Sequence, residues 1–208
     1  MIKLLGTSHI SPESIQRIKE EIGKGADCVA VELDPGRYKA LKHGERGSYP
    51  SLFFKLLSWL QGRLGEKTGV VPGEEMLEAV QKAQEEDIDV YLIDRPISDT
   101  LRDFKRVGLI EKLKLFIHSF HMPRSYEFDL ENVPPQELVE EAVHMLEEKT
   151  PAIYLALVEK RDEIMAMALE ELSKDKNIVM AIVGAGHLPG LKRRFKERGV
   201  EFEDKTFK

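Results

Sequence analysis

Two short stretches of the chain each place a histidine three residues after a glycine. GTSHIS contains Gly6 and His9, and GAGHLPG contains Gly184 and His187. Each stretch directly follows an apolar run, IKLL in the first and IVMAIV in the second. We therefore expect each histidine at a corner where a buried strand gives way to a helix, with the glycine permitting a tight turn. An imidazole in that position can bind a divalent metal or transfer a proton.

Two further apolar runs end in charged residues. CVAVELD ends in Glu32 and Asp34, and DVYLIDRP contains Asp94 and Arg95 near its end. Because ligands of open parallel sheets bind beyond the carboxyl ends of the strands, we expect these side chains to converge with the two histidines at one edge of a sheet.

Charged residues also fall on the apolar stripes of a predicted helix over residues 151–174. Arg161 lies on the same stripe as Leu157 and Ile164, and Asp162 lies on the neighbouring stripe. A buried charge must be paired or face a polar cavity, so both residues are candidates for the wall of a site. A buried ion pair that only holds the helix to the sheet is the alternative.

The order of the predicted elements indicates an α/β fold. Strands at residues 2–6, 28–34, 89–96 and 178–184 alternate with helices, which favours a mainly parallel sheet flanked by helices. Residues from about 98 to 174 read as a helical insertion or subdomain that begins with a helical stretch from about residue 98 to residue 121. We expect the 208 residues to form a single domain.

Composition limits the classes of protein that the chain can belong to. The 31 Lys and Arg against 37 Asp and Glu give a net charge of −6 without a basic block, which argues against a nucleic-acid partner. No apolar run approaches the roughly 18 to 20 residues of a membrane span, and the N-terminus does not resemble a signal peptide. With its single cysteine, the chain is expected in the cytoplasm. Its 33% of charged residues is typical of thermophiles.

One segment, SYPSLFFKLLSWLQGRLG at residues 48–65, is apolar on most faces. We expect a helix that packs inside the domain or against a partner subunit, and we predict a homodimer contact there. Docking to a membrane surface is the alternative.

The glycine-rich turn at residues 184–190 does not fit a dinucleotide site. Pro189 stands where the G-x-G-x-x-G fingerprint requires its third small residue, and the imidazole of His187 would intrude on a pyrophosphate. A G-x-S-x-G nucleophile motif is also absent from the sequence. Two histidines with nearby carboxylates point instead to a divalent metal or to metal-free acid–base chemistry.

Taken together, several motifs resemble those of the TraB family of pheromone-shutdown proteins, which is similar to the TIKI metalloproteases. The motifs are GTSHIS, VELD with Arg37 close behind, VPGEEMLEAVQKAQ, VYLIDRPISDTL, EKRDEIMAMAL and VGAGHLPGL. The resemblance implies the α/β core that is also found in erythromycin esterase-like and ChaN-like proteins. For the TIKI relatives it implies peptide hydrolysis with manganese or cobalt, on residues that correspond to His9, His187 and Glu32.

Our leading hypothesis is a metal-dependent hydrolase of the peptidase or amidase type. His9 and His187 would bind one Mn²⁺, Co²⁺ or Zn²⁺, with Glu32 or Asp94 as the third ligand. Further catalytic roles fall to a general base, Glu74 or Glu75, and to a cation that stabilises the oxyanion, Arg95 or Arg161.

Three other functions compete with this hypothesis. A histidine paired with Glu32 could activate water without a metal. The chain could bind and sequester a peptide or small molecule without turnover. The polar cluster could also be a structural ion-pair network of a thermostable fold.

Overall fold

Five parallel strands form the centre of the molecule. The computed structural model describes residues 1–7, 12–43, 74–120 and 136–205. The strands are β1 (Ile2–Thr7), β2 (Cys28–Val31), β3 (Asp89–Leu92), β4 (Val179–Gly184) and β5 (Phe202–Asp204), and their order across the sheet is β3-β2-β4-β1-β5. The predicted α/β fold with a parallel sheet is confirmed.

Strands β2 and β4, in the centre of the sheet, are apolar throughout because helices cover both faces of the sheet. All four residues of β2 are buried, and β4 pairs with β2 on one side and β1 on the other. The register places Gly184, the last residue of β4, opposite Thr7, the last residue of β1. The carboxyl ends of the strands therefore lie along one edge.

One face of the sheet packs against two helices, α8 (Lys160–Asp175) and α9 (Leu188–Arg198). Their apolar residues join Leu4, Ala30 and Ala181 of the strands in one buried cluster; the helical members include Met165, Ala166, Leu169, Leu188, Leu191 and Phe195.

The opposite face packs against α1 (Pro12–Ile22) and α3 (Glu74–Glu85). A short helix between them in the chain, α2 (Pro35–Lys42), follows β2 directly. The buried side chains on this face include Ile18, Ile22, Met76, Ala79, Val80 and Ala83.

The remaining helices share a third apolar cluster that includes Leu115, Val143, Leu146 and Ile153. They are α4 (Ile97–Arg106), α5 (Leu109–Phe120), α6 (Gln136–Lys149) and α7 (Pro151–Tyr154). The helical stretch predicted from about 98 to 121 is formed by two helices, α4 and α5. Val107 takes an extended conformation (φ −59°, ψ 131°) that ends α4, and α5 begins two residues later and buries Leu115.

Two other features of the chain differ from the prediction. The strands predicted at 28–34 and 89–96 end at Val31 and Leu92, because the polar residues that follow turn away to form the edge of the sheet. Within the described ranges, no helix is long and apolar enough to cross a membrane. The predicted dimer contact at residues 48–65 falls outside those ranges.

Candidate functional site

Five of the residues that the sequence singles out meet at the carboxyl edge of the sheet. Glu32 follows β2, Asp94 follows β3, and His187 lies in a single 3₁₀ turn (Ala185–His187) between β4 and α9. The first turn of α8 adds Arg161 and Asp162. All five side chains are buried, with at most 7% of each residue exposed.

Arg161 joins two of the carboxylates. Its Nε and Nη2 donate to the two oxygens of Asp94 at 2.9 and 2.7 Å, and Nη2 also donates to Glu32 Oε1 at 2.5 Å. Burial alone would lower the pKa of Arg161, but the charges of Asp94 and Glu32 outweigh burial and raise it. The guanidinium therefore stays charged in the interior.

Glu32 is held on its other oxygen by the backbone of β4. The amide of Gly184 donates to Glu32 Oε2 at 2.6 Å, and a methyl group added at Gly184 would come 3.0 Å from that oxygen. Burial alone would raise the pKa of Glu32, but the charges of His187 and Arg161 hold it well below its usual range. Strand β4 passes at Gly184 directly into the 3₁₀ turn, as predicted, but the φ of −62° is ordinary extended backbone, so the turn itself does not require glycine. This glycine instead admits the carboxylate.

His187 is paired with a carboxylate through each ring nitrogen. Its Nδ1 lies 2.5 Å from Asp162 Oδ1, and its Nε2 lies 3.4 Å from Glu32 Oε1. Burial and the charge of Arg161 would lower the pKa of His187. The charges of Glu32 and Asp162 outweigh them and raise the pKa to about 9. Burial raises the pKa of Asp162, although His187 opposes that shift. At neutral pH, the imidazole is thus a cation that donates to Asp162.

Helix α9 packs against Asp162. A methyl group added at Gly190 would overlap Asp162 Oδ2, so only glycine lets the helix approach this carboxylate. Arg194, one turn further along, places Nη1 3.8 Å from the same oxygen and donates from Nη1 to the Gly190 carbonyl. Its Nη2 donates to the carbonyl of Glu159 at 3.2 Å. Arg194 thereby ties α9 to the start of α8.

A π-helical turn (Leu155–Glu159) lies directly before Arg161 and Asp162. The wider turn shifts the register of the helix that follows it, and such insertions occur frequently at functional sites. Both consecutive charged side chains of α8 are buried, Arg161 at 5% and Asp162 at 0% exposure.

Two residues of the cluster, Arg37 and Arg194, were not predicted from the sequence to belong to the site. Arg37 of α2 donates from Nη1 to Asp94 Oδ2 at 3.1 Å and to the Glu32 carbonyl at 3.3 Å. The helix starts at this point because Asp34 Oδ1 accepts from the amides of Gly36 and Arg37. The D-P-G spacing after the strand is the signal that could have identified this helix. Arg194 gave no signal, because it lies in the strongly basic stretch LKRRFKER.

The other predicted site residues lie apart from this cluster or outside the described residues. The guanidinium of Arg95 pairs with Asp103 of α4 at 2.8 Å, whereas its amide donates to Asp94. Glu75 is half-buried in the first turn of α3, which packs on the opposite face of the sheet from α8 and α9. The side chain of Glu74 and all of His9 fall outside the described residues.

The described residues fit two positions of a metal site. Ligand atoms in a tetrahedral site with bonds of about 2.1 Å lie about 3.4 Å apart, which matches the separation of His187 Nε2 and Glu32 Oε1. The hydrogen bond from Nδ1 to Asp162 leaves Nε2 as the ligand atom, as in many carboxylate–histidine–metal sites. No group of three His, Cys, Asp or Glu ligands is assembled within the ranges described. His9, which follows the neighbouring strand β1 in the sequence, is the predicted third ligand.

The fold and this edge define a parallel α/β protein with a buried histidine–carboxylate–arginine site at the carboxyl ends of its strands. Comparison with known sequences assigns that protein to a family: the sequence model of the TraB/PrgY/gumN family matches residues 1–204, and the chain belongs to this family. The resemblance seen in the sequence motifs is confirmed.

Individual relatives come from archaea and animals. An uncharacterized protein of Methanocaldococcus jannaschii is 35% identical over 94% of this chain and 53% of its own length. A TraB domain-containing protein of Bos taurus is 25% identical over 93% of this chain and 62% of its own. Its counterpart in Mus musculus is 24% identical over the same shares. The chain thus spans about half to three fifths of the length of these relatives.

Proposed function

We propose that the protein is a metal-dependent hydrolase that acts on a peptide or another amide. The observation that carries this proposal is the pair of facing donor atoms, His187 Nε2 and Glu32 Oε1, on a histidine whose other nitrogen is fixed by Asp162. A divalent metal there would supply hydroxide at neutral pH by lowering the pKa of a bound water towards ~7.

The hydrogen bonds favour Glu32 over Asp94 as a ligand. Asp94 Oδ1 accepts from Arg161 Nε and from the Arg95 amide, and Asp94 Oδ2 accepts from Arg161 Nη2 and Arg37 Nη1. Four donors leave Asp94 little capacity for a cation, so its role is to hold the two arginines. Glu32 accepts one guanidinium hydrogen bond and one amide hydrogen bond.

The other residues of the site orient and balance these groups. Asp162 fixes the plane of the His187 ring, and Gly184 fixes the carboxylate plane of Glu32. His187 must lose the proton on Nε2 before it binds a metal. Arg161 is the buried cation nearest to Glu32 and is the candidate for stabilising negative charge on a reacting substrate. His9 would complete the ligand set. Glu74 or Glu75 stays the predicted general base from the sequence alone, because Glu75 lies apart from the cluster and the side chain of Glu74 is outside the described residues.

One contact favours a second candidate, hydrolysis without a metal. Arg161 Nη2 lies 2.5 Å from Glu32 Oε1, the same oxygen that faces His187 Nε2. A guanidinium in that position competes with a dication for the carboxylate. In this alternative, His187 and Glu32 exchange a proton with a substrate or a water molecule, and Arg161 stabilises the charged form of Glu32.

A peptide cleavage assay tests the proposal. Protein stripped with a chelator and reloaded with Mn²⁺, Co²⁺ or Zn²⁺ would be incubated with a defined peptide mixture, and new termini would be detected by mass spectrometry. We expect cleavage by the reloaded wild type and by His144→Ala, which changes an exposed histidine of α6. We expect none from His187→Ala or Glu32→Gln.

The remaining outcomes identify the competing functions. Cleavage that survives complete chelation would replace the metal proposal with the acid–base alternative. Stoichiometric retention of a peptide without new termini would contradict hydrolysis and support sequestration.

A further inference from the structure

The corner between α4 and α5 exposes three large aliphatic side chains. Leu109 is 81% exposed, Ile110 is 73% exposed and Leu113 is 54% exposed. They lie in the first turns of α5, whose Leu115 faces inward and is 1% exposed. Seven of the ten residues 105–114 are exposed, so this corner projects from the molecule. Aliphatic side chains in such a position become buried only when another molecule covers them.

The same corner is basic in an acidic protein. Residues 99–114 contain five Lys or Arg and three Asp or Glu, a net charge of +2, whereas the whole chain carries −6. The acidic side chains in this stretch are the less exposed ones, at 33% for Asp99, 12% for Asp103 and 20% for Glu111. Four of the five basic residues are exposed, and Lys112 is half-buried. Arg102, at 58% exposure, pairs with Asp99, and Lys114, at 49%, pairs with Glu111.

Three basic residues of α4 line one open groove beside the aliphatic side chains. Arg102, Lys105 and Arg106 share this groove with Ser98 and Leu101. Spacings of three and four residues place the three cations on one side of α4. The corner therefore combines an aliphatic tip with a cluster of cations next to it.

Ion pairs anchor this corner to the candidate site. Asp103 of α4 forms an ion pair with Arg95 at 2.8 Å and accepts from Lys160 Nζ at 2.8 Å, and these two residues neighbour Asp94 and Arg161 in the chain. These contacts hold α4 next to residues that adjoin the carboxyl edge of the sheet.

We propose that the corner formed by residues 99–114 docks onto an anionic lipid surface. Leu109, Ile110 and Leu113 would enter the boundary between headgroups and acyl chains, and the cations of α4 and α5 would contact lipid phosphates. A projecting aliphatic tip with basic flanks fits a bilayer better than a folded protein partner, because protein interfaces are centred on aromatic and arginine anchors packed in pockets. This inference does not depend on the proposed hydrolase activity.

Vesicle co-sedimentation of the full chain tests the proposal. Vesicles of phosphatidylcholine alone would be compared with vesicles that contain phosphatidylserine as well, at low and high NaCl. We expect the wild type to prefer the anionic vesicles by at least about tenfold, and we expect salt to weaken the binding. Leu109→Ser/Ile110→Ser and Lys105→Glu/Arg106→Glu should each lower binding by at least about tenfold.

Matched controls separate docking from general surface effects. Met167→Ser changes an apolar side chain of α8 that is 56% exposed, and Lys174→Glu reverses a charge on a side chain that is 61% exposed. Both should bind anionic vesicles as the wild type does, and circular dichroism should show that all variants are folded. Equal binding by the corner variants and the wild type, or no binding by the wild type, overturns the proposal. Loss of self-association in Leu109→Ser/Ile110→Ser without any vesicle binding would likewise overturn it in favour of a protein interface.

Discussion

The absence of a side chain at Gly190 makes room for the carboxylate of Asp162. A methyl group at position 190 would overlap Asp162 Oδ2 and lie 2.8 Å from its Cγ. Asp162 in turn holds the Nδ1 nitrogen of His187. Gly190 of the GAGHLPG stretch therefore acts through packing. It contacts Asp162, and Asp162 in turn contacts the candidate ligand His187.

Gly190→Ala should destabilise the protein by about 1–3 kcal/mol, because the added methyl group displaces a buried carboxylate that is hydrogen-bonded to His187. Urea unfolding measures the change. Gly108→Ala is the matched control, because nothing lies within 4 Å of a methyl group at that position. A Gly190→Ala variant with the same free energy of unfolding as the wild type would contradict the contact between α9 and Asp162.

Removing the buried cation Arg161 should lower the free energy of unfolding much more than removing an exposed arginine does. Arg161→Met leaves Glu32 and Asp94 buried without their shared guanidinium, and we expect a loss of about 3–5 kcal/mol in the free energy of unfolding. Arg193→Met removes an arginine whose side chain is 43% exposed, for which we expect less than about 1 kcal/mol. Similar losses in the two variants would contradict a buried network.

Protonation of His187 should make stability depend on pH. The pKa of His187 is raised from 6.5 to about 9 in the folded chain, so between these values the folded state binds the proton that the unfolded state releases. The stabilisation is complete below pH 6.5, and it is lost as the pH rises towards 9, at up to about 1.4 kcal/mol per pH unit.

Unfolding free energies of wild type, His187→Gln and His144→Gln at pH 6 to 10 measure this dependence. The wild type and the His144→Gln control should lose stability through this window. His187→Gln should be less stable overall and should show a flatter profile. An unchanged slope in His187→Gln would assign the pH dependence to another group.

Asp162 should strengthen metal binding without being a ligand. Asp162→Asn removes the charge that accepts from His187 Nδ1, and such changes behind a ligating histidine typically lower metal affinity by roughly 10–100-fold. Asp175→Asn, at the exposed end of α8, is the control and should leave the affinity unchanged. Calorimetric titration with Zn²⁺ or Mn²⁺ makes the comparison. Equal affinities in the two variants would show that Asp162 has no part in metal binding.

Much of the sheet edge could be predicted because strand periodicity and topology determine it. Near-continuous apolar runs indicated parallel strands, and the ends of such strands must converge, which placed Glu32, Asp94 and His187 together. Arg161 and Asp162 could be predicted because charges on the apolar stripe of a helix require buried partners.

The second layer of the site could not be predicted, since its signals depend on tertiary packing. Arg194 belongs to a helix whose other basic residues face solvent, and its burial follows from the approach that Gly190 permits. Arg37 lies on an eight-residue helix that is too short and too polar for its periodicity to be recognised. The π turn before Arg161 changes the helical register without any mark in the sequence.

The metal content of the purified protein tests the central claim most directly. Wild type, His187→Ala, Glu32→Gln and His144→Ala would be loaded with Mn²⁺, Co²⁺ or Zn²⁺, desalted and measured by elemental analysis, after circular dichroism has shown that each is folded. We expect about one metal ion per chain in the wild type and in His144→Ala, and a loss of that ion in His187→Ala and Glu32→Gln. A full complement of metal in folded His187→Ala and Glu32→Gln would contradict this expectation.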